Sequence, residues 1–249
     1  MPNPSYYERD LLIGGPSTGK THQLICLARW LEDKGKEMWL MDCEDKVAIM
    51  LGCMEDPPTN IHLSVAVNWD EIKAALDRWE KEVKPRSVVA VDRIDLWWRD
   101  VQHWYSQKRY EEELADRMVS TVSAIKKRIM YAPRFERGDW SPINEQYNTA
   151  MWKLLYGFRS HVVMTAGVRG VGSDEVSPFE VFGHLGITPR GQNELAHQPN
   201  TAFLLRVEKV NRELIWRITT AKPISGRPVF EDEVLFDWAQ QYCDIFWNL

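Results

Sequence analysis

The sequence has few cysteines and histidines, and neither type is arranged as a metal centre or a disulfide framework requires. The four cysteines include no Cys-x-x-Cys pair, and the six histidines are scattered along the chain. Structural zinc sites need paired ligands at short spacing, so the pattern predicts no metal site built from protein ligands alone. Reduced, buried cysteines are the expectation.

The chain also lacks long hydrophobic runs, a secretory signal and an excess of positive charge. No uninterrupted apolar stretch approaches the ~20 residues that cross a bilayer, and Met1–Asp10 has no basic-then-apolar order. These absences predict a cytoplasmic protein with no membrane partner. The net charge of −5 argues against a protein that coats nucleic acid, although it allows a local basic path.

What is present is the composition of an ordinary globular protein, with 44% hydrophobic and 27% charged residues over 249 positions. Domains of mixed α/β type commonly reach this length, so a single domain is predicted. Short apolar runs alternate with helical patterns along most of the chain. This alternation is typical of a mostly parallel sheet with helices on both faces.

The predicted elements follow from periodicity and from helix-start signals. Asn68 and Glu71 form a capping-box pattern at a helix start. Little periodicity is visible over Gly167–Asn200, which predicts a long loop. The predicted strands are Met38–Asp42, Ile61–Val67, Ser87–Asp92 and His161–Ala166, a long helical region is Glu111–Met130, and a hairpin about Asn211 joins Thr201–Val207 to Glu213–Thr219.

The most specific motif is "GGPSTGKT", which follows an apolar run and precedes a helical pattern. The spacing Gly-x-x-x-x-Gly-Lys-Thr is that of a phosphate-binding loop, in which backbone N–H groups and a helix N-terminus bind a triphosphate. Lys20 is predicted to reach the β- and γ-phosphates of ATP, and Thr21 to offer its hydroxyl to Mg²⁺. The predicted nucleotide-binding residues are Gly14, Gly15, Pro16, Ser17, Thr18, Gly19, Lys20 and Thr21.

Carboxylates at predicted strand ends complete this site. Asp92 ends an apolar strand, and the carboxyl edge of a parallel sheet brings such a residue to Mg²⁺ and its waters. Hydrolysis also needs a group that orients or deprotonates water, and Arg93 stands where many motor ATPases carry a glutamate. We favour Glu44, which follows the preceding strand, as the catalytic carboxylate. Asp42 and Asp45 compete for the same role.

Taken in order, these motifs resemble the nucleotide core of RecA-type recombinases. "GGPSTGKT" is followed by "MWLMDCED", which contains Glu44, and then by "VVAVD". The chain is more similar still to compact phage RecA-like ATPases implicated in single-strand annealing and recombination. That similarity rests on "WSPINEQYN", "VVMTA", "TPRGQNEL" and "TTAKPISGRP", and it covers Leu11–Phe230.

The resemblance implies an α/β fold with a RecA-like P-loop core, a mostly parallel central sheet flanked by helices and a C-terminal β-hairpin. We expect one domain over residues 1–249, with a nucleotide core at about 8–166, a mobile loop at about 167–200 and the hairpin and tail at 201–249.

The resemblance also implies roles for three further residues. Thr165 is similar to the polar sensor that reports the γ-phosphate, which adds it to Lys20, Glu44 and Asp92 in the catalytic set. Lys222 and Arg227 match a pair that reaches a neighbouring subunit's γ-phosphate in related rings and filaments. Self-association and hydrolysis of Mg-ATP are therefore implied, as is action on single-stranded DNA in phage or viral recombination, annealing or replication, in the host cytoplasm.

Single-stranded DNA binding requires basic residues interleaved with aromatic side chains. One segment, residues 126–137, has this character, and Glu136 is its only acidic residue. A solvated helix end explains its first three basic residues equally well. The DNA-binding candidates are Lys126, Lys127, Arg128, Arg134, Phe135 and Arg137.

Three other kinds of protein share the same loop. A DNA-packaging or helicase-type motor generally resembles a P-loop followed by an Asp-Glu pair, and Arg93 departs from that pattern. A nucleotide-gated protein-interaction module, similar to clock or signalling ATPases, would use ATP to control assembly. A small-molecule kinase is disfavoured because no arginine-rich lid motif is present.

Overall fold

The computed structural model describes residues 7–119, 135–172, 176–224, 227 and 229–243. The strands are β1 (Arg9–Gly14), β2 (Met38–Asp42), β3 (Ile61–Val65), β4 (Val88–Asp92), β5 (His161–Ala166), β6 (Val168–Gly170), β7 (Ile187–Pro189), β8 (Thr201–Val210), β9 (Glu213–Lys222) and β10 (Glu233–Val234). The helices are α1 (Lys20–Asp33), α2 (Val47–Gly52), α3 (Trp69–Glu82), α4 (Asp95–Tyr110), α5 (Trp140–Trp152) and α6 (Glu180–His184). Shorter turns are the π-helical Lys153–Gly157 and Ala239–Cys243 and the 3-10 helix Asn193–His197.

One eight-stranded sheet organises these elements, in the order β10-β9-β8-β1-β5-β4-β2-β3, while β6 and β7 form a separate pair. The strands from β8 to β3 are parallel. The last two are antiparallel, β9 to β8 and β10 to β9. The mostly parallel sheet and the C-terminal hairpin predicted from the sequence are therefore confirmed.

Strict alternation of side chains builds a core on each face of the sheet. Leu11 and Ile13 of β1 pack into one hydrophobic cluster, and Leu12 packs into the other. The central strands are buried on both sides, which explains why they read as continuous apolar runs. Helices α3, α4 and α5 cover one face, and α1 with the C-terminal turn Ala239–Cys243 covers the other.

Parallel pairing brings the carboxyl ends of the central strands to one edge. Asp42 of β2 lies in register with Asp92 of β4, and Val91 of β4 pairs with Met164 of β5. On the other side of β5, Ile13 of β1 pairs with Ala166. The residues just beyond these ends therefore converge, as the strand-end argument from the sequence requires.

The helix after β4 differs from the prediction. The sequence pattern placed a long helical region at Glu111–Met130, whereas α4 spans Asp95–Tyr110 and residues 114–119 are helical beyond it. Residues 120–134 lie outside the described part of the chain. The aromatic residues of α4 have weak helix propensity, so the pattern did not reveal it. Burial of Leu96, Trp97 and Val101 against α3 and α5 stabilises it instead.

The predicted long loop Gly167–Asn200 also contains regular structure. It holds the antiparallel pair β6 and β7, the short helix α6 and the 3-10 helix Asn193–His197. These elements are only a few residues long and are joined through tertiary contacts, such as Phe182 buried in the core. Short elements of this kind leave no periodic pattern in a sequence. Among the described residues, no helix is long and apolar enough to cross a membrane.

The capping pattern at Asn68 is confirmed and yields a stability prediction. The Asn68 side chain accepts a hydrogen bond from the Glu71 backbone N–H at 3.0 Å, and Glu71 accepts one from the Val67 N–H at 2.9 Å. Asn68→Ala leaves the Glu71 N–H without its side-chain acceptor, so the free energy of unfolding should fall by about 1 kcal/mol. Urea denaturation measures this. Asn68→Asp, which retains an acceptor, should be near wild type, and equal losses for both variants would contradict the capping role.

Candidate nucleotide-binding site

The loop between β1 and α1 has a backbone that only glycine permits at two positions. A Cβ at Gly14 would lie 2.4 Å from Thr18 Oγ1 and 2.6 Å from the carbonyl oxygen of Leu205 on β8. Gly19, with φ of 90°, adopts the left-handed conformation directly before α1. No side chain caps that helix. Its first N–H groups therefore remain available to an anion, as phosphate binding requires.

The side chain of Lys20 reaches back across this loop to its first two residues. Its Nζ donates hydrogen bonds to the carbonyl oxygens of Gly14, at 2.8 Å, and Gly15, at 2.7 Å. Burial lowers the pKa of Lys20, and the nearby Arg93 guanidinium lowers it further, while Asp92 acts in the opposite sense. The ammonium group is thus held at the loop in a partly desolvated position, where an anionic oxygen is a stronger partner than a carbonyl.

Asp92 lies at the centre of a hydrogen-bonded bridge between three elements. Thr21 at the start of α1 donates its hydroxyl to Asp92 Oδ2 at 2.6 Å. Thr165 of β5 donates to Asp92 Oδ1. Asp92 is only 1% exposed, and burial raises the pKa of its carboxyl, which the two hydroxyl donors lower. The geometry brings together three residues that the sequence assigned to the catalytic and metal sites.

The three candidate carboxylates at the end of β2 and in the turn after it have different environments. Buried Asp42 accepts hydrogen bonds from the backbone N–H groups of Glu44, Lys46 and Val47, and so holds the turn into α2. Asp45 is exposed and does not line the cavity beside the loop. Glu44 does line that cavity. The arrangement therefore supports Glu44 over its two competitors.

Arg93 connects Glu44 to the end of β4. Its Nη1 donates to Glu44 Oε1 at 2.8 Å, and its Nε and Nη2 donate to the two carboxylate oxygens of Asp95 at 3.1 and 2.8 Å. The chain passes close by at Gly167, where a Cβ would lie 3.0 Å from Arg93 Nη2. Sequence reasoning noted Arg93 only as a departure and left Asp95 out of the site. The available signal was a pair of opposite charges, two positions apart, directly after a strand-end aspartate.

A cavity of about 890 Å³ lies beside the loop. The loop, Glu44 and Arg93 line one part of it, and Arg190, Trp216 and Phe236 contribute from later elements. Sequence reasoning missed these last three as site residues. Arg190 lies in the "TPRGQNEL" turn, but no local pattern marks the two aromatic residues. No cluster of three or more His, Cys, Asp or Glu side chains that could hold a metal occurs in the described ranges.

Lys222 and Arg227 lie apart from this cavity and contact their own chain. Lys222 Nζ donates to the carbonyl oxygens of His197, at 2.9 Å, and Pro199, at 2.6 Å. Arg227 forms an ion pair with buried Glu8. Neither side chain lines the cavity. Their predicted contact with a neighbouring subunit stays a prediction.

The DNA-binding candidates fall mostly outside the described residues, namely Lys126, Lys127, Arg128 and Arg134. Phe135 is half-buried, with its ring 5.2 Å from that of Trp140 and 6.0 Å from that of Tyr105. Arg137 is exposed. The structure therefore places Phe135 in an aromatic cluster next to an exposed cation, and the predicted DNA contact stays a prediction.

No protein-family model matches the chain, and no curated protein matches it. Solved structures do. The RadB recombinase gives a TM-score of 0.52 at 13% sequence identity, covering 92% of this chain and 87% of that one. A KaiC-like protein from the hyperthermophilic archaeon Pyrococcus horikoshii OT3 gives a TM-score of 0.51 at 14% identity, covering 91% of this chain and 84% of that one. The fold of this chain is therefore that of the RecA-like ATPases.

Proposed function

We propose that this protein is a Mg²⁺-dependent ATPase of the RecA type that acts on single-stranded DNA in phage recombination, annealing or replication. The observation that carries the ATPase is the convergence of Lys20, Thr21, Glu44 and Asp92 at one edge of the parallel sheet. These four residues come from three separate segments of the chain, and all lie at or beside the loop between β1 and α1. A purely structural role for each would not require them to meet.

The loop would bind the triphosphate through its backbone. The uncapped N–H groups at the start of α1 would donate to phosphate oxygens. The Lys20 ammonium group, which donates to the Gly14 and Gly15 carbonyl oxygens here, would donate to phosphate oxygens instead. Gly14 permits the close approach of the Leu205 carbonyl oxygen, and Gly19 permits the left-handed conformation before α1, so the loop can present its backbone N–H groups to an anion. The phosphates would then lie between Lys20 and the Glu44 carboxylate.

The oxygen ligands of Thr21 and Asp92 suit Mg²⁺, which prefers hydroxyl, carboxylate, phosphate and water oxygens. When bound, Mg²⁺ would neutralise charge on the β- and γ-phosphates. Asp92 is held in place for this role by Thr165, and its second oxygen faces the Thr21 hydroxyl.

Glu44 is the proposed general base. Its carboxylate lines the cavity and would accept a proton from the water that attacks the γ-phosphate. Arg93 orients it through the 2.8 Å ion pair and is itself held by Asp95. Because Asp42 is committed to backbone N–H groups, it is a poor candidate for this proton transfer.

The support for action on DNA and for self-association comes from other parts of the chain and from the solved structures that share its fold. The solved structures that share this fold include a protein named as a recombinase. The segment 126–137 combines basic and aromatic residues, and Phe135 joins the aromatic cluster of Tyr105 and Trp140. In a ring or filament, Lys222 and Arg227 would act on a neighbour's γ-phosphate. That role requires both side chains to leave the intrachain contacts that they make here.

Thr165→Val tests the coupling of Asp92 to Mg²⁺. Loss of the hydroxyl donor raises the pKa of Asp92, already raised by burial, so the carboxyl stays protonated to higher pH and binds the cation less well. Mg²⁺-dependent ATP affinity should therefore weaken more at acidic pH than at neutral pH. Isothermal titration calorimetry measures both. Thr165→Ser keeps the donor and should resemble wild type, whereas equal weakening at the two pH values would contradict this role.

Glu44→Gln tests the proposed base. The amide cannot take a proton, so the steady-state ATPase rate should fall by roughly 10²- to 10⁴-fold while ATP binding persists. Asp45→Asn is the matched control, because it neutralises the adjacent exposed carboxylate and asparagine tolerates the positive φ of 55° at that position. Near-normal turnover in Glu44→Gln would show that another group activates the water.

The DNA-dependent part of the proposal is tested by measuring the ATPase rate alone, with single-stranded DNA and with duplex DNA, while light scattering follows assembly. We expect single-stranded DNA to stimulate hydrolysis and to promote oligomers, because the basic segment neutralises phosphates and Lys222 and Arg227 act across a subunit boundary. Stimulation by duplex DNA with translocation would favour the motor alternative. Hydrolysis indifferent to both DNAs, with a stable protein complex, would favour the interaction module.

A further inference from the structure

Two exposed aromatic side chains lie beside the phosphate-binding loop. Trp216 is 38% exposed and Phe236 is 64% exposed. Trp140, Trp152 and Tyr156 are exposed as well, but they do not line the cavity beside the loop. An exposed aromatic pair within a concave site is a common feature of ligand recognition. Both side chains line the cavity, and the proposed ATPase reaction gives neither of them a role.

Trp216 is attached to the loop by direct contacts. Its indole Nε1 donates a hydrogen bond to the carbonyl oxygen of Ser17 at 3.2 Å. A Cβ at Gly19 would lie 3.5 Å from Trp216 Cδ1, so the ring packs against the loop at the residue before α1. The indole is thus fixed in position before any ligand arrives. It forms a wall of the same cavity that Lys20 and Glu44 line.

The segment after β10 supplies the second wall. Leu235 N–H donates to the carbonyl oxygen of Trp216 at 2.8 Å, which places Leu235 next to the tryptophan. Further along, the Trp238 N–H donates to the side chain of Gln23 on α1 at 2.7 Å. Phe236 lies between these two anchors and lines the cavity. The segment is therefore tied both to β9 and to the first turn of α1.

We propose that Trp216 and Phe236 form a nucleobase subsite, in which the base of the bound nucleoside triphosphate stacks on their rings. The inference rests on the proposed function, because it takes the triphosphate to occupy the loop. A base linked through ribose to phosphates at Gly19 and Lys20 meets Trp216 on the loop itself. The cavity of about 890 Å³ has the size of a site for a whole nucleotide.

Stacking explains why the walls are aromatic and aliphatic. A planar heterocycle gains dispersion and desolvation energy from Trp216, Leu235 and Phe236, whereas its phosphates need the polar groups of the loop. The cavity lining follows this division in part, since the glycines, Lys20 and Thr21 lie at the loop and the start of α1, whereas the aromatic side chains of the lining, Trp216 and Phe236, come from the C-terminal elements. The C-terminal hairpin thereby becomes part of the nucleotide site.

The test compares Mg-ATP with Mg-tripolyphosphate, which lacks the base and ribose, by titration calorimetry. In wild type, ATP should bind more tightly than tripolyphosphate. Phe236→Ala and Trp216→Ala should each weaken ATP binding about 10-fold and leave tripolyphosphate binding unchanged, in line with the loss of one stacking contact. Phe236 is exposed, so its truncation does not threaten folding. Trp216→Phe keeps an aromatic ring but removes the N–H that donates to Ser17, so it separates the effect of stacking from that of the hydrogen bond.

Leu214→Ala is the matched control, because Leu214 is exposed on the same face of β9, two residues from Trp216, but does not line the cavity. It should bind both ligands as wild type does. ATP binding unaffected by Phe236→Ala and Trp216→Ala, with tripolyphosphate still bound, would overturn the nucleobase subsite and leave the phosphate site standing. Failure of wild type to bind either ligand would overturn the proposed function, and this inference with it.

Discussion

The buried carboxylate of Asp92 is the point on which the site depends. It ends β4, accepts hydroxyl donors from α1 and from β5, and is almost fully removed from solvent. Burial raises the pKa of this carboxyl and so disfavours its ionised form, whereas the hydroxyl donors Thr165 and Thr21 lower the pKa and favour that form. The same bridge ties the start of α1 to the middle of the sheet. Displacing Asp92 would therefore disturb both the loop and the strand edge.

Around this bridge, the parallel sheet determines which groups meet. In-register pairing of β2 with β4 places the chain after Asp42 beside the chain after Asp92, and Arg93 then joins Glu44 to Asp95. Asp42 gives the turn after β2 its shape by accepting three backbone N–H groups. This leaves Glu44 as the carboxylate directed to the cavity. The charged network is thus a consequence of strand register and of one buried turn.

Much of the fold could be predicted because the determining signals are local. The strands of the core are apolar runs, and the capping pattern at Asn68 marks the start of α3. The helix α4 could not be predicted in this way, since its aromatic residues are stabilised by α3 and α5 rather than by intrinsic propensity. Similarly, the short elements within Gly167–Asn200 depend on contacts that a periodicity analysis does not detect.

By itself, the sequence determined the turn from β1 into α1 and predicted phosphate binding there, because the glycines, lysine and threonine act through backbone conformation and neighbouring residues over eight positions. It also indicated the strand-end carboxylates. Only the tertiary structure decided that Asp42 holds a turn while Glu44 faces the cavity, and that Trp216 meets Ser17 across a separation of 199 residues. The carboxylates at the end of β2 are adjacent in sequence, so their different environments become visible only in the folded turn. The Trp216 contact arises from the pairing of β8 with β1 and the return of β9, which no local pattern encodes.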